Sequence, residues 1–151
     1  GLVRQHPDGR LESVAYGVFS TAAGRSMPER LLDLYQTLSD VLKEHALDGA
    51  AVEKLFFQRN VTTAISVGQA RGVAILALAQ AGLEVGEYTP NEIKMATTGY
   101  GGADKKQMQS MVKALLDLEE LPQPDDAADA LAVAICHLHS SSTMKRLGET
   151  E

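Results

Sequence analysis

An α/β layered domain is what this chain predicts, on three observations. Short apolar runs with turn signals alternate with longer stretches of helical spacing, in the order two strands, helix, strand, helix, strand and then three helices. There is no internal repeat or low-complexity segment, and 151 residues, 44% of them hydrophobic, suit one globular domain spanning 1–151 with an adequate core.

Each element has a local reason. Gly1-Leu-Val-Arg-Gln5, the turn His6-Pro-Asp-Gly9 and a run from Leu11 to Phe19 read as a hairpin. Ser26-Met-Pro-Glu29 is a capping box opening a helix to about His45, with Leu31, Leu34, Tyr35, Leu38, Val41 and Leu42 on one side. Gly49 to Phe57 reads as a buried strand interrupted by Glu53. Asn60 or Thr62 caps a long helix to about Ala81, ended by Gly82. Small residues at Ala64, Gly68, Gly72 and Ala79 mark one face of it, which suits either the domain's own sheet or a dimer seam. A strand from Leu83 to Tyr88 follows. Thr89-Pro-Asn-Glu92 is a second capping box, starting a short helix that carries Lys94 and stops by Gly99. Asp104 caps the next helix, with Lys105 and Lys106 in its first turn and Met108, Met111, Val112, Leu115 and Leu116 at core spacing. The last helix opens at Pro122-Gln-Pro-Asp-Asp-Ala-Ala-Asp129, and its tail is expected to fray from about Ser140.

The chemistry concentrates in carboxylates. Asp126 and Asp129 are three apart, hence on one helix face, and Asp125 with Asp129 has the i, i+4 relation. Asp125 by itself is well explained as a cap. Glu53, in an otherwise apolar strand, needs a partner. If the three acids converge, each pair at roughly 4 Å repels by about 1 kcal/mol in water and about 4 at a surface-like dielectric, so a cation is called for. Oxygen-only ligands indicate Mg²⁺ or Mn²⁺. A strand acid facing a helical acid pair is also the arrangement a two-metal phosphodiesterase needs. His137 and His139, two apart, face different sides of a helix and read as partly buried or surface residues, and Ser140 to Ser142 lack a nucleophile context.

Net charge is −6, so no global field draws nucleic acid, and any DNA contact must come from a local patch. Lys54, Arg59, Arg71, Lys94, Lys105 and Lys106 are its candidates. Lone Cys136, in an apolar helical setting, reads as a buried thiol in a reducing compartment. No segment has the layout of a membrane span or signal peptide, so a cytoplasmic location is expected, with no membrane partner.

Val52-Glu-Lys-Leu-Phe56, Asn60, Gly68-Gln-Ala-Arg-Gly-Val-Ala-Ile75, Val112 to Leu116 and Pro124-Asp-Asp-Ala-Ala-Asp-Ala-Leu-Ala132 resemble the RuvC-type Holliday junction resolvases, in the same order along essentially the whole chain. The resemblance implies a ribonuclease H-like fold with a mixed sheet flanked by helices, a homodimer joined through the long helix from about Val61, and Mg²⁺-dependent symmetric nicking of four-way DNA junctions, in company with a junction branch-migration complex. It implies metal-ligand roles for Glu53, Asp126 and Asp129, a place for Phe56 near the junction bases, and phosphate contacts for Lys94 and Lys105, with Lys106 and Arg59 in the same DNA-binding set. One departure is large. The family begins with a strand bearing Asp-Pro-Gly, whose aspartate is a fourth metal ligand, whereas Gly1-Leu-Val-Arg4 resembles the family's second strand. The first, central strand is therefore expected to be missing, the Glu53 strand to have an unpaired edge, and these 151 residues to be marginally folded and without junction cleavage. The alternatives are a catalytically inactive junction-binding module or truncated fragment, and a ribonuclease H-like nuclease acting on another nucleic acid.

Overall fold

A computed structural model describes residues 1–54 and 61–148. Among them the elements run β1 Leu2–Gln5, β2 Leu11–Ala15, α1 Met27–Glu44, β3 Ala50–Glu53, α2 Val61–Gln80, β4 Val85–Tyr88, α3 Pro90–Thr98, α4 Lys105–Leu115 and α5 Asp125–Gly148. This is the predicted order. The contacts gather into two compact units, one made of 1–18 with the chain from Tyr88 onward, the other of 19–87.

In the first unit β1 and β2 form an antiparallel hairpin pairing Val3 with Ser13, Arg4 with Glu12 and Gln5 with Leu11. Gly9 closes its turn at φ 89°, a conformation that only glycine adopts without cost, and donates its N–H to the His6 carbonyl at 2.8 Å. Glu12 accepts from His6 at 2.8 Å and lies 3.6 Å from Arg4, and these contacts hold its carboxyl below the usual range, the His6 hydrogen bond contributing most. β2 ends at Ala15 rather than near Phe19. Beyond it Tyr16, Val18 and Phe19 are exposed, so the apolar content that suggests a longer strand has no partner there among the described residues.

The core of this unit is built on α5, which packs against α3, α4 and β1. Ala127, Ala128, Leu131, Ala132, Val133, Ile135 and Cys136 are all buried, a spread wider than one face. Three alanines in that set let neighbouring elements come close, and Leu131, Ile135 and Val112 fill the space between. Burial raises the Cys136 thiol above its ordinary pKa, as expected of a packing thiol. The histidines tie α5 down: the His137 ring bonds the Tyr88 hydroxyl through Nδ1 at 3.0 Å, and the His139 Nδ1 donates to the Ala96 carbonyl at 3.1 Å. The helix continues to Gly148, past the Ser140 at which fraying is expected.

The predicted caps of α3 and α4 hold. The Thr89 hydroxyl accepts from the Glu92 N–H while the Glu92 carboxylate accepts from the Thr89 N–H, and Gly99 at φ 73° closes α3. Asp104 and Gln107 exchange the same pair of bonds at the start of α4.

In the second unit α1 packs on α2, and β3 pairs with β4. Tyr35 of α1 donates its hydroxyl to Gln80 of α2. Arg71 reaches the Glu53 carbonyl at 3.1 Å and also pairs with the Glu87 carboxylate, which places it in the packing of its own unit. Among the described residues the strands form two separate two-stranded sheets, β1 with β2 and β3 with β4. No helix among them is long and apolar enough to cross a membrane.

Candidate nuclease site

The acidic mouth of α5 is assembled by three packed helices of the first unit. α5 begins at Asp125, and the Pro124 carbonyl accepts the first intrahelical N–H groups, from Ala127 at 2.9 Å and Ala128 at 3.4 Å. Asp125 is thus the first residue inside the helix and not its cap. Its carboxylate is turned toward α4: one oxygen accepts from the Gln109 amide at 2.8 Å, the other from the Lys105 ammonium at 3.0 Å. These contacts lower its pKa, the Lys105 bond most and the Gln109 bond next.

Lys105 also stands 3.9 Å from an Asp129 oxygen. Asp129 nevertheless titrates above the ordinary aspartate range, because partial burial opposes its charge more than Lys105 supports it, and Asp126 and Asp125 add repulsion. Lys105 is raised in turn, mainly by its bond to Asp125. An acid whose charge is disfavoured by burial and by two like neighbours is short of positive charge. The donor set is all carboxylate oxygen, which fits a hard divalent cation.

The structure brings Asp126, Asp129, Lys105 and Lys106 to one end of this unit, Lys105 and Lys106 both in the first turn of α4. Lys94 lies on α3, which packs on both α4 and α5. Glu53 is exposed at the end of β3 and belongs to the second unit. Among the described residues no group of three or more His, Cys, Asp or Glu side chains is arranged to hold a metal. Phe56 and Arg59 lie outside the described residues. Gln109 is the residue that sequence reasoning misses. It is only 8% exposed between buried Met108 and Val112, and its signal is a polar side chain in an apolar stripe.

The match to solved structures places this α/β fold in the ribonuclease H-like class of nucleases. Thermus thermophilus RuvC superposes with a TM-score of 0.84 at 31% identity, covering 94% of this chain and 86% of the other. T. thermophilus RuvC in complex with Holliday junction substrate gives the same score at 28% identity, covering 93% and 85%. The chain belongs to the family described as Crossover junction endodeoxyribonuclease RuvC, which matches residues 1–137. Relatives of that name include those of Desulfitobacterium hafniense, 58% identical over 98% of this chain and 89% of the relative, and Chloroflexus aggregans, 55% identical over 97% and 89%.

Proposed function

We propose that this protein resolves four-way DNA junctions by symmetric, divalent-cation-dependent nicking during recombination and repair in the cytoplasm. Membership of the RuvC family over residues 1–137 carries the reading, and the solved relative in complex with Holliday junction substrate supports the choice of DNA. Asp126 and Asp129 are assigned to hold Mg²⁺, with Mn²⁺ as a substitute, and Glu53 is assigned as a third ligand from β3. Bound there, the cation supplies activation of the attacking water and charge stabilisation at the leaving oxygen. Lys94 and Lys105 are assigned to phosphate contacts, with Lys106 and Arg59 extending the contact and Phe56 assigned a place near the junction bases. Phosphate contacts of this kind orient the backbone without reading sequence. The test is substrate choice: these 151 residues alone are expected not to nick, whereas with the Asp-Pro-Gly strand that the resemblance implies placed ahead of Gly1 the protein, in Mg²⁺, nicks four-way junctions and leaves linear duplex and RNA–DNA hybrid intact. Preferred cleavage of the hybrid would indicate a related nuclease with another substrate.

Paired nicks require two sites related by a two-fold axis, and α2 is the proposed seam of a homodimer. Ile65, Gln69, Gly72, Leu76 and Ala79 form an exposed stripe at helical spacing. A side chain added at Gly68 or Gly72 would meet nothing within 4 Å among the described residues, whose packing does not require either glycine. An unpartnered apolar stripe with glycines suits a second helix at close range. Leu76, 53% exposed, is the place to break it. Leu76→Glu is expected to leave a folded monomer by sedimentation and to abolish paired nicking; a persistent dimer would move the interface elsewhere. A branch-migration complex is the proposed further partner.

A further inference from the structure

We propose that Asp125 is a positioning residue which, braced by Gln109, holds the Lys105 ammonium beside Asp129 as a tethered counter-ion that an arriving divalent cation displaces. The inference rests on the assignment of Asp129 as a cation ligand and adds what the site does before the cation arrives.

Both oxygens of Asp125 are engaged. Gln109 donates to one at 2.8 Å and Lys105 to the other at 3.0 Å. Gln109 is buried among core residues of α4, so it is a fixed donor, and the carboxylate bonded to it is fixed in turn. A lysine on a flexible four-carbon stem has no such fixity of its own. Bridged to Asp125, its ammonium is kept 3.9 Å from Asp129, within ion-pair range. A carboxylate acting only on the helix dipole would have no reason to lean onto the neighbouring helix.

Lys105 therefore gives the Asp126/Asp129 pair a positive charge in the cation-free protein. A divalent cation and an ammonium cannot share Asp129 without repulsion, so binding of one weakens the hold of the other. Released from Asp129, the ammonium is free to take a phosphate oxygen. Cation binding and phosphate binding are then coupled through one side chain, and the coupling is reciprocal.

The test measures Mn²⁺ affinity without DNA, by titration calorimetry and by electron paramagnetic resonance of free Mn²⁺. Lys105→Met is expected to bind Mn²⁺ about two- to fivefold more tightly than wild type, the range set by the modest strength of exposed ion pairs. In lysine ¹⁵Nζ spectra of the cation-free protein, a separate Lys105 signal is expected, identified by its loss in Lys105→Met. Mg²⁺ should move that signal, and Asp125→Ala should merge it with the solvent-exposed lysines. Unchanged or weaker Mn²⁺ binding by Lys105→Met, together with at least tenfold weaker binding by Asp129→Asn, would overturn the counter-ion role and leave the metal assignment standing. If Asp129→Asn binds Mn²⁺ as wild type does, the metal assignment falls and takes the inference with it. A Lys105 signal unmoved by Asp125→Ala refutes the positioning role of Asp125.

Discussion

Asp126→Asn and Asp129→Asn, in the protein carrying the family's Asp-bearing first strand ahead of Gly1, are each expected to lower Mg²⁺-dependent junction nicking by a hundredfold or more while leaving the fold intact. Losing even an outer partner of a metal ligand typically costs about 10–100-fold in affinity or activity, and losing a ligand's charge belongs at or beyond the upper end. Asparagine keeps the shape and one oxygen but removes the charge that draws the cation. The stability arm has a definite sign for Asp129. Its folded pKa is raised, first by burial and then by Asp126 and Asp125, against the favourable pull of Lys105. The proton is thus held more tightly in the folded protein than in the unfolded chain, and that stabilising contribution is lost as pH rises through the raised value. At pH 7 the charge opposes folding, so the thermal midpoint of Asp129→Asn should equal or exceed that of wild type. Nicking assayed on four-way junctions beside a melting curve gives both numbers. Activity within tenfold of wild type would remove the residue from the ligand set, and a collapsed midpoint would mark it as structural.

Leu131→Ala and Ile135→Ala are expected to have the largest effect on stability. Both side chains are fully enclosed, and truncating a buried Leu or Ile costs about 2–5 kcal/mol through lost burial and the cavity left behind. At about 2–4 °C per kcal/mol for a chain of this size, the midpoint should fall by roughly 4–20 °C. Denaturant titration checks the free energy directly. Nicking by these variants, measured well below the new midpoint, should survive better than in the asparagine variants, because neither side chain carries the site's charge. A loss below 1 kcal/mol would mean that α5 is not the centre of its unit.

The parts of this fold legible in the sequence are those decided within a few residues. Thr89 with Glu92, Asp104 with Gln107 and Gly99 each act across one helical turn, and each stands where its motif puts it. The hairpin turn is equally local, since Gly9 alone supplies the positive φ. What could not be read depends on packing between elements. The segment from Tyr16 to Phe19 has strand composition but no partner strand among the described residues. Asp125 has the chemistry of a cap, and only the approach of α4 turns its carboxylate toward Gln109 and Lys105, 16 and 20 positions earlier in the chain. Asp126 and Asp129 were legible as a pair because an i, i+3 spacing fixes a shared face whatever surrounds the helix. Their relation to Glu53 is not local in that sense: strand and helix belong to different units, so spacing alone could not define it.

The buried alanines of α5 bear on how this protein can change over evolutionary time. The acids and the centre of the core occupy one helix, with Ala127 and Ala128 lying between Asp126 and Asp129 and facing inward. A single inserted residue would rotate everything beyond it by about 100°, swinging a carboxylate into the space of an alanine and a leucine into solvent. The site cannot slide along α5, and the inward face cannot be enlarged without pushing the acids out of place. A change that keeps both the acidic pair and the core must therefore fall outside these inward positions of α5.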